Sequence, residues 1–183
     1  MSTLKVSTIA PLGTDATNTV SLQAGAKTSG FGKIGQVVNS STDYNQTLQS
    51  TSFTDVNSAS GTVWETSITP SSTSAKILVS GSLSFNSYYS GNAEGRGSVK
   101  MFYKIGSGSY VQLKSYQTST GAYDYGNRGI WSKRDLPIST LLSPATTSAV
   151  TFKFQMNLNN ASATMVFNTD DSDSQITLME ILD

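Results

Sequence analysis

The chain has 183 residues, with 12 Lys and Arg against 12 Asp and Glu, and it contains no His and no Cys. Without these two residue types it cannot build imidazole or thiolate metal sites, and Ser-His or Cys-His nucleophilic catalysis is excluded. A zero net charge argues against nucleic-acid binding, which needs a basic surface. No apolar run approaches the roughly 20 residues of a membrane-spanning helix. We therefore predict no nucleic-acid partner, no membrane insertion and no cofactor.

Residues 1–30 differ in character from the rest of the chain. Two short alternating pieces lie in a background of Gly, Thr, Asn and Ala, and their apolar residues are Leu4, Val6, Val20 and Leu22. Neither piece can bury enough surface to fold alone. We interpret residues 1–30 as an anchoring and assembly arm that becomes ordered against a partner. The alternative is a disordered tail. The first residues have no apolar core of the kind that secretory signals carry.

From Phe31 onward, short apolar or alternating segments recur between turn-forming residues. The predicted strands are 34–38, 63–68, 76–85, 99–105, 110–114, 129–131, 136–138, 150–158, 163–167 and 175–182. The loop Gly106–Ser109 gives the clearest hairpin, Gly81 is a weak point in its strand, and the last strand is expected inside a sheet. No window shows a convincing helical period. The sequence therefore predicts an all-β, jelly-roll β-sandwich over residues 31–183, preceded by the extended N-terminal arm.

Carboxylates are few, and none falls in a catalytic or metal-binding pattern. Asp170, Asp171 and Asp173 are the densest acidic cluster, but Gly and Glu are missing from the offsets that an EF-hand requires. Glycosidase chemistry needs two carboxylates held together in a cleft. Four acids are candidates only because acids are scarce: Glu65, Glu94, Asp124 and Asp135. We predict no metal site, no catalytic residue and no enzymatic activity.

Aromatic residues are more informative, because several lie in or beside segments rich in Gly, Asn and Asp. Tyr and Trp supply large contact areas with a polar group, and interfaces favour them. Tyr88 and Tyr89 precede one such segment. The candidate contact residues around the next one are Tyr123, Tyr125, Asn127, Arg128 and Trp131. They fit either a receptor or glycan surface, or a subunit boundary and the capped end of the sandwich.

A set of short motifs runs along almost the whole chain: Met1–Ile9 (MSTLKVSTI), Phe31–Val38, Thr51–Thr54, Ser67–Ser72, Ala75–Val79, Tyr103–Tyr110 and Ile176–Ile181. The opening is similar to that of many tail-fibre-like and other structural proteins of tailed bacteriophages, notably phages of cyanobacteria and other marine bacteria. The remaining motifs resemble a module that recurs in those virion proteins. This resemblance implies a jelly roll like those of the C1q and tumour-necrosis-factor type, usually a homotrimer, in a virion component without enzymatic activity.

The resemblance leaves two virion roles open. A small tail or head fibre would attach through its arm and touch the host with its far loops. A capsid cement or decoration protein would clamp neighbouring capsid subunits. The expected partners are copies of this chain, other virion proteins and a host-surface glycan or receptor, and the expected location is the virion, after synthesis in the host cytoplasm. The rival interpretation is a soluble carbohydrate-binding module that uses the loop aromatics.

Overall fold

Strands supply the regular secondary structure of the computed structural model, which describes residues 33–59, 61–89, 95–122, 130–159, 163–168 and 173–182. The strands within these ranges are β1 (Lys33–Thr42), β2 (Gln46–Leu48), β3 (Thr54–Asp55), β4 (Asn57–Ala59), β5 (Thr62–Val63), β6 (Glu65–Ile68), β7 (Lys76–Tyr89), β8 (Gly95–Ile105), β9 (Val111–Ala122), β10 (Ile130–Leu142), β11 (Val150–Leu158), β12 (Ala163–Phe167) and β13 (Ser174–Leu182). The predicted arm, with its four apolar residues, lies outside the described residues, and its boundary remains a prediction.

The first sheet is organised around β7, its longest strand. β10 pairs with one edge of β7 from Leu142 to Ile130. On the other edge, β13 pairs with the first half of β7 and β12 pairs with the second half. β1 lies outside β13, and β2 lies outside β12. β12 and β13 both run antiparallel to β7 along the same edge. They are therefore collinear, and together they occupy one strand position in the sheet.

The second sheet is organised in the same way around β11. β8 pairs along the whole of β11 on one side, and β9 pairs with β8. The other side of β11 is shared by β6 and β3. Between these two short strands, β4 and β5 form a small hairpin. A hydrogen bond from the backbone N–H of Trp64 to the Val56 carbonyl oxygen (2.8 Å) closes its base.

The strand pairing is nested around the connection from β9 to β10, which lie in different sheets. The strands that precede β9 and follow β10, which are β8 and β11, pair with each other. The next strands outward, β7 and the collinear β12 and β13, also pair. Such nesting of antiparallel strands across two sheets is the jelly-roll arrangement. The predicted fold class, an all-β antiparallel sandwich, is therefore confirmed.

The core lies between the two sheets and is rich in phenylalanine. Phe85 and Phe167 come from the first sheet, and Phe152 and Phe154 come from the second. Trp64 joins the two layers, because its ring lies 5.7 Å from that of Phe154 and 6.3 Å from that of Phe167. Its indole N–H donates to Ser40 Oγ on β1 (2.9 Å), which satisfies the polar atom that this buried side chain carries.

Several predicted strands are confirmed with little change. β11 and β12 have the predicted bounds, β6 ends before Pro70, and β8 and β9 form the predicted hairpin with Gly106 at a φ of +53°. β13 lies between β1 and β7, as expected for an internal strand. One expectation was wrong: segment 136–138 and the described part of segment 129–131 belong to one strand, β10. β7 includes Gly81, as predicted, and extends beyond the predicted end at residue 85 to Tyr89.

Candidate functional site

The two predicted candidate carboxylates that the structure describes do not lie together. Glu65 lies on the outer face of the second sheet, and Asp135 is exposed on the outer face of the first. The core separates them. Glu94 and Asp124 lie outside the described residues, as do Asp170 and Asp171, while the described Asp173 is exposed. Within the described part of the chain, no group of three or more acidic side chains could hold a metal ion.

Glu65 belongs instead to a network of charged and aromatic side chains on the outer face of the second sheet. It accepts hydrogen bonds from the Tyr110 hydroxyl and from Lys104 Nζ (3.4 Å). Lys153 Nζ pairs with Asp55 Oδ1 (2.7 Å), and both lysine ammonium groups lie over the Tyr110 ring, at 4.5 and 4.6 Å. Burial and the hydrogen bond to Glu65 raise the pKa of Tyr110. These contacts make this face polar and internally paired.

Glu180 is a buried carboxylate at the end of the sandwich where β1 begins. It is 1% exposed and lies on the inner face of β13. Ser71 donates to Glu180 Oε1 from its backbone N–H and from Oγ (2.7 Å), and Gln36 Nε2 donates to Oε2 (3.2 Å). The Ser71 hydroxyl bond is the largest influence and lowers the pKa of Glu180, while burial opposes it. The carboxylate thereby joins β1 and the segment after β6 to β13.

This arrangement predicts an acid-dependent stability that Glu180→Gln reduces. Because the pKa falls on folding, the carboxylate stabilises the fold fully above its ordinary pKa of 4.5, and this contribution is lost as the pH falls through the folded-state pKa. We expect urea unfolding between pH 2.5 and 6 to show a shallower pH dependence in the variant, by up to about one proton per molecule. Glu65→Gln, which removes an exposed carboxylate, is the control. Parallel curves for wild type and Glu180→Gln would contradict the assignment.

The backbone brings three of the aromatic residues noted in the sequence to one end of the first sheet. Trp131 on β10 pairs with Tyr88 on β7, and Ile130 pairs with Tyr89. Tyr89 also pairs with Ala163 on its other side. We call this the aromatic end. The other candidate contact residues, Tyr123, Tyr125, Asn127 and Arg128, lie outside the described residues.

The opposite end of the sheet contains the first and last described residues. Lys33 pairs with Leu182, and the neighbouring Ile181 pairs with Lys76, the first residue of β7. β7 then runs from Lys76 to Tyr89 at the aromatic end. Its 14 residues span about 43 Å at roughly 3.3 Å per step. Lys33, the first described residue, therefore lies at the end of the sheet remote from Tyr88 and Trp131.

An apolar row that the sequence analysis missed crosses the outer face of the first sheet. Val37 pairs with Met179, Met179 with Leu78, and Leu78 with Leu141, so the row crosses four adjacent strands. Its two end residues, Val37 and Leu141, are each 55% exposed. Their sequence neighbours Val38 and Leu142 face the core. Consecutive apolar residues such as these were the available signal, because a strand with one solvated face normally alternates.

These features define an all-β, jelly-roll sandwich with one polar and one partly apolar outer face. Solved structures of similar shape include the VP2 subviral particle of infectious bursal disease virus (10% identity, TM-score 0.47, covering 80% of this chain and 32% of that one). The T13 viral particle of the same virus gives 11% identity and a TM-score of 0.41, covering 80% and 35%. The Yersinia pseudotuberculosis-derived mitogen gives 10% identity and a TM-score of 0.28, covering 81% and 86%.

The chain spans about a third of the length of these two virus proteins. No family model matches the sequence, and no curated protein matches it. In the part of the chain that the structure describes, there is no helix with the length and apolar character needed to cross a membrane.

Proposed function

We propose that this chain is a non-enzymatic structural component of a bacteriophage virion. In this proposal it forms a homotrimer of jelly rolls, attached to the particle through the arm of residues 1–30. It acts as a small tail or head fibre or as a capsid cement protein. The motifs from Met1–Ile9 to Ile176–Ile181 support the virion assignment by their resemblance to phage structural proteins.

The observation that carries the proposal is the separation of the two ends of the sandwich. The chain enters β1 at Lys33, and the backbone brings Tyr88 and Trp131 together about 40 Å away. A domain held at its entry end leaves the aromatic end free to meet another surface. Aromatic side chains supply contact area for sugars or proteins at low entropic cost. This geometry favours the fibre role over the cement role.

The fibre role predicts that changing the aromatic end impairs adsorption and leaves the particle intact. We expect virions carrying Tyr88→Ser and Trp131→Ser together to assemble in normal yield and to adsorb at least about tenfold more slowly, since contact residues of this type dominate interfaces. Val111→Ser is the control, because Val111 is exposed near the opposite end. The measurement is the adsorption rate of purified particles on host cells.

Particles that lack the gene separate the remaining outcomes. Stable particles that no longer adsorb support the fibre role. Fragile heads with normal adsorption support the cement role and contradict the fibre role. Absence of the protein from purified virions, combined with monomers that bind soluble glycans, would replace the virion proposal by a carbohydrate-binding module.

A further inference from the structure

We propose that the apolar row of Val37, Met179, Leu78 and Leu141 is the surface through which copies of this chain contact one another. The inference rests on the proposed self-association and assigns a location to it. The row is continuous, because each of its residues is paired with the next across hydrogen-bonded strands. Strand spacing of about 4.8 Å gives it a length of roughly 14 Å. The outer residues at both ends are more than half exposed.

The rows beside the apolar row are mostly neutral, and they include one charged residue, Lys76, which pairs with Ile181. The next outward-facing row is made of Asn39, Thr177, Ser80 and Ser139, again paired strand to strand. Asn39 Nδ2 donates to Thr177 Oγ1 (3.0 Å), so part of its hydrogen-bonding capacity is already used. On the other side, Ile34 pairs with Ile181, and Ile34 is 57% exposed. An apolar centre with a largely polar border is the usual composition of a protein interface.

A second copy of the same chain is the partner that this composition fits. The apolar row and the Ser, Thr and Asn row contain no charged residue, and the third row contains only the single charge of Lys76, so a strongly acidic or basic partner would find little opposite charge there. The charged network of Glu65, Lys104 and Lys153 lies on the other sheet, where it faces away from the apolar row. The whole chain has a formal net charge of zero, so copies do not repel one another. Like apolar faces can then associate.

The size of the surface is consistent with the centre of such a contact. Four strands at about 4.8 Å and seven residues at about 3.3 Å give this half of the sheet face dimensions of roughly 19 by 23 Å. A standard interface buries about 800 Å² on each partner. As a flat rectangle, the apolar row and its two neighbouring rows therefore supply about half of that area. The uneven surface of the side chains and the adjoining residues supply the rest.

The experiment measures the mass of the full-length chain in solution by sedimentation over a micromolar concentration range. We expect wild type to sediment as an oligomer. Leu141→Asp and Val37→Asp each place a carboxylate at an exposed end of the apolar row, and we expect each to weaken association at least tenfold. Val111→Asp is the matched control, because Val111 is equally exposed (53%) but lies on the second sheet, and it should leave the mass unchanged. Circular dichroism confirms that the variants keep their strands.

The outcomes distinguish this inference from the proposed function. Oligomers that survive both Leu141→Asp and Val37→Asp would overturn the inference and leave the virion role standing. A monomeric wild type would overturn it together with the homotrimer. Dissociation by Val111→Asp as well would show a non-specific effect of charge and would also overturn it. The presence of the protein in virions is tested separately and depends on none of these results.

Discussion

Replacing Gly81 with valine is expected to prevent the sandwich from folding. Gly81 lies in the middle of β7, between Ile176 on β13 and Ile138 on β10. A Cβ atom at this position would clash with the Gln175 carbonyl oxygen and would lie 2.8 Å from the Cα of Ile176. Both obstacles are backbone, and β13 is held on its other side by β1. Neither can move without breaking the ladder of the first sheet.

The expected cost exceeds that of ordinary overpacking. Extra methyl groups in a core cost about 1–3 kcal/mol when side chains can adjust. Here the backbone must move, so we expect Gly81→Val to lose more than about 4 kcal/mol, a large part of the roughly 5–15 kcal/mol that stabilises a domain. The measurement is soluble yield followed by urea unfolding, with Gly81→Ala as the smaller step. Ser80→Ala on the same strand is the control and should unfold almost like wild type.

A Gly81→Val protein that unfolds at the same urea concentration as wild type would contradict this expected loss of stability. From the sequence alone Gly81 is a weak point of its strand, since glycine has low strand propensity. That interpretation considered β7 alone. The close approach of β13 involves Gln175 and Ile176, about 95 residues later in the chain, and local propensity contains no information about such a neighbour. The strand itself was predictable, but the reason for its glycine was not.

β10 shows a second limit of local reasoning. The basic residues Lys133 and Arg134 lie between segments 129–131 and 136–138, which the sequence predicts as two separate strands. In the structure these residues continue the pairing with β7. Within the described residues β10 pairs with β7 alone, so it is an edge strand, where charges and a proline such as Pro137 are tolerated. Sequence shows the charged step, but only the sheet order shows that it lies at an edge.

The apolar row was unpredictable as a unit for a related reason. Its residues come from four strands. Val37 and Met179 are paired neighbours in the row although they are far apart in the sequence. The consecutive apolar residues Val37-Val38 and Leu141-Leu142 show that both faces of a strand carry apolar groups. They do not show that these strands are neighbours. The pairing register decides whether such residues meet, because a shift of one residue moves every side chain of a strand to the other face of the sheet.

Asn168 occupies the gap between the collinear strands β12 and β13, and it links four parts of the first sheet. Its Nδ2 donates to the carbonyl oxygens of Thr42 (2.8 Å) and Tyr44 (3.3 Å), where β1 ends. Its Oδ1 accepts from Ser174 Oγ (2.6 Å), whose oxygen in turn accepts from the Ser84 N–H (2.8 Å). The residue is 3% exposed and has a φ of +52°, a conformation that Asn tolerates better than most residues.

Asn168→Asp is therefore expected to destabilise the protein by about 3–5 kcal/mol near neutral pH. The substitution keeps the shape, but it removes two donors and places a buried carboxylate against two carbonyl oxygens. Burial and these carbonyls favour the protonated acid, so its pKa should rise on folding. A pKa raised on folding makes the variant relatively more stable at low pH. We expect its deficit against wild type to be smallest near pH 4 and to grow as the pH rises through the folded-state pKa.

Urea unfolding followed by tryptophan fluorescence, to which the buried Trp64 contributes, measures this deficit as a function of pH. Asn168→Gly is the control for backbone conformation, because glycine adopts positive φ freely but makes none of the side-chain hydrogen bonds. We expect it to be destabilised without the pH dependence. Ser174→Ala, which removes one link, should cost about 1–3 kcal/mol. An Asn168→Asp protein within about 1 kcal/mol of wild type at pH 7 would mean that the two halves of the sheet are joined by other contacts.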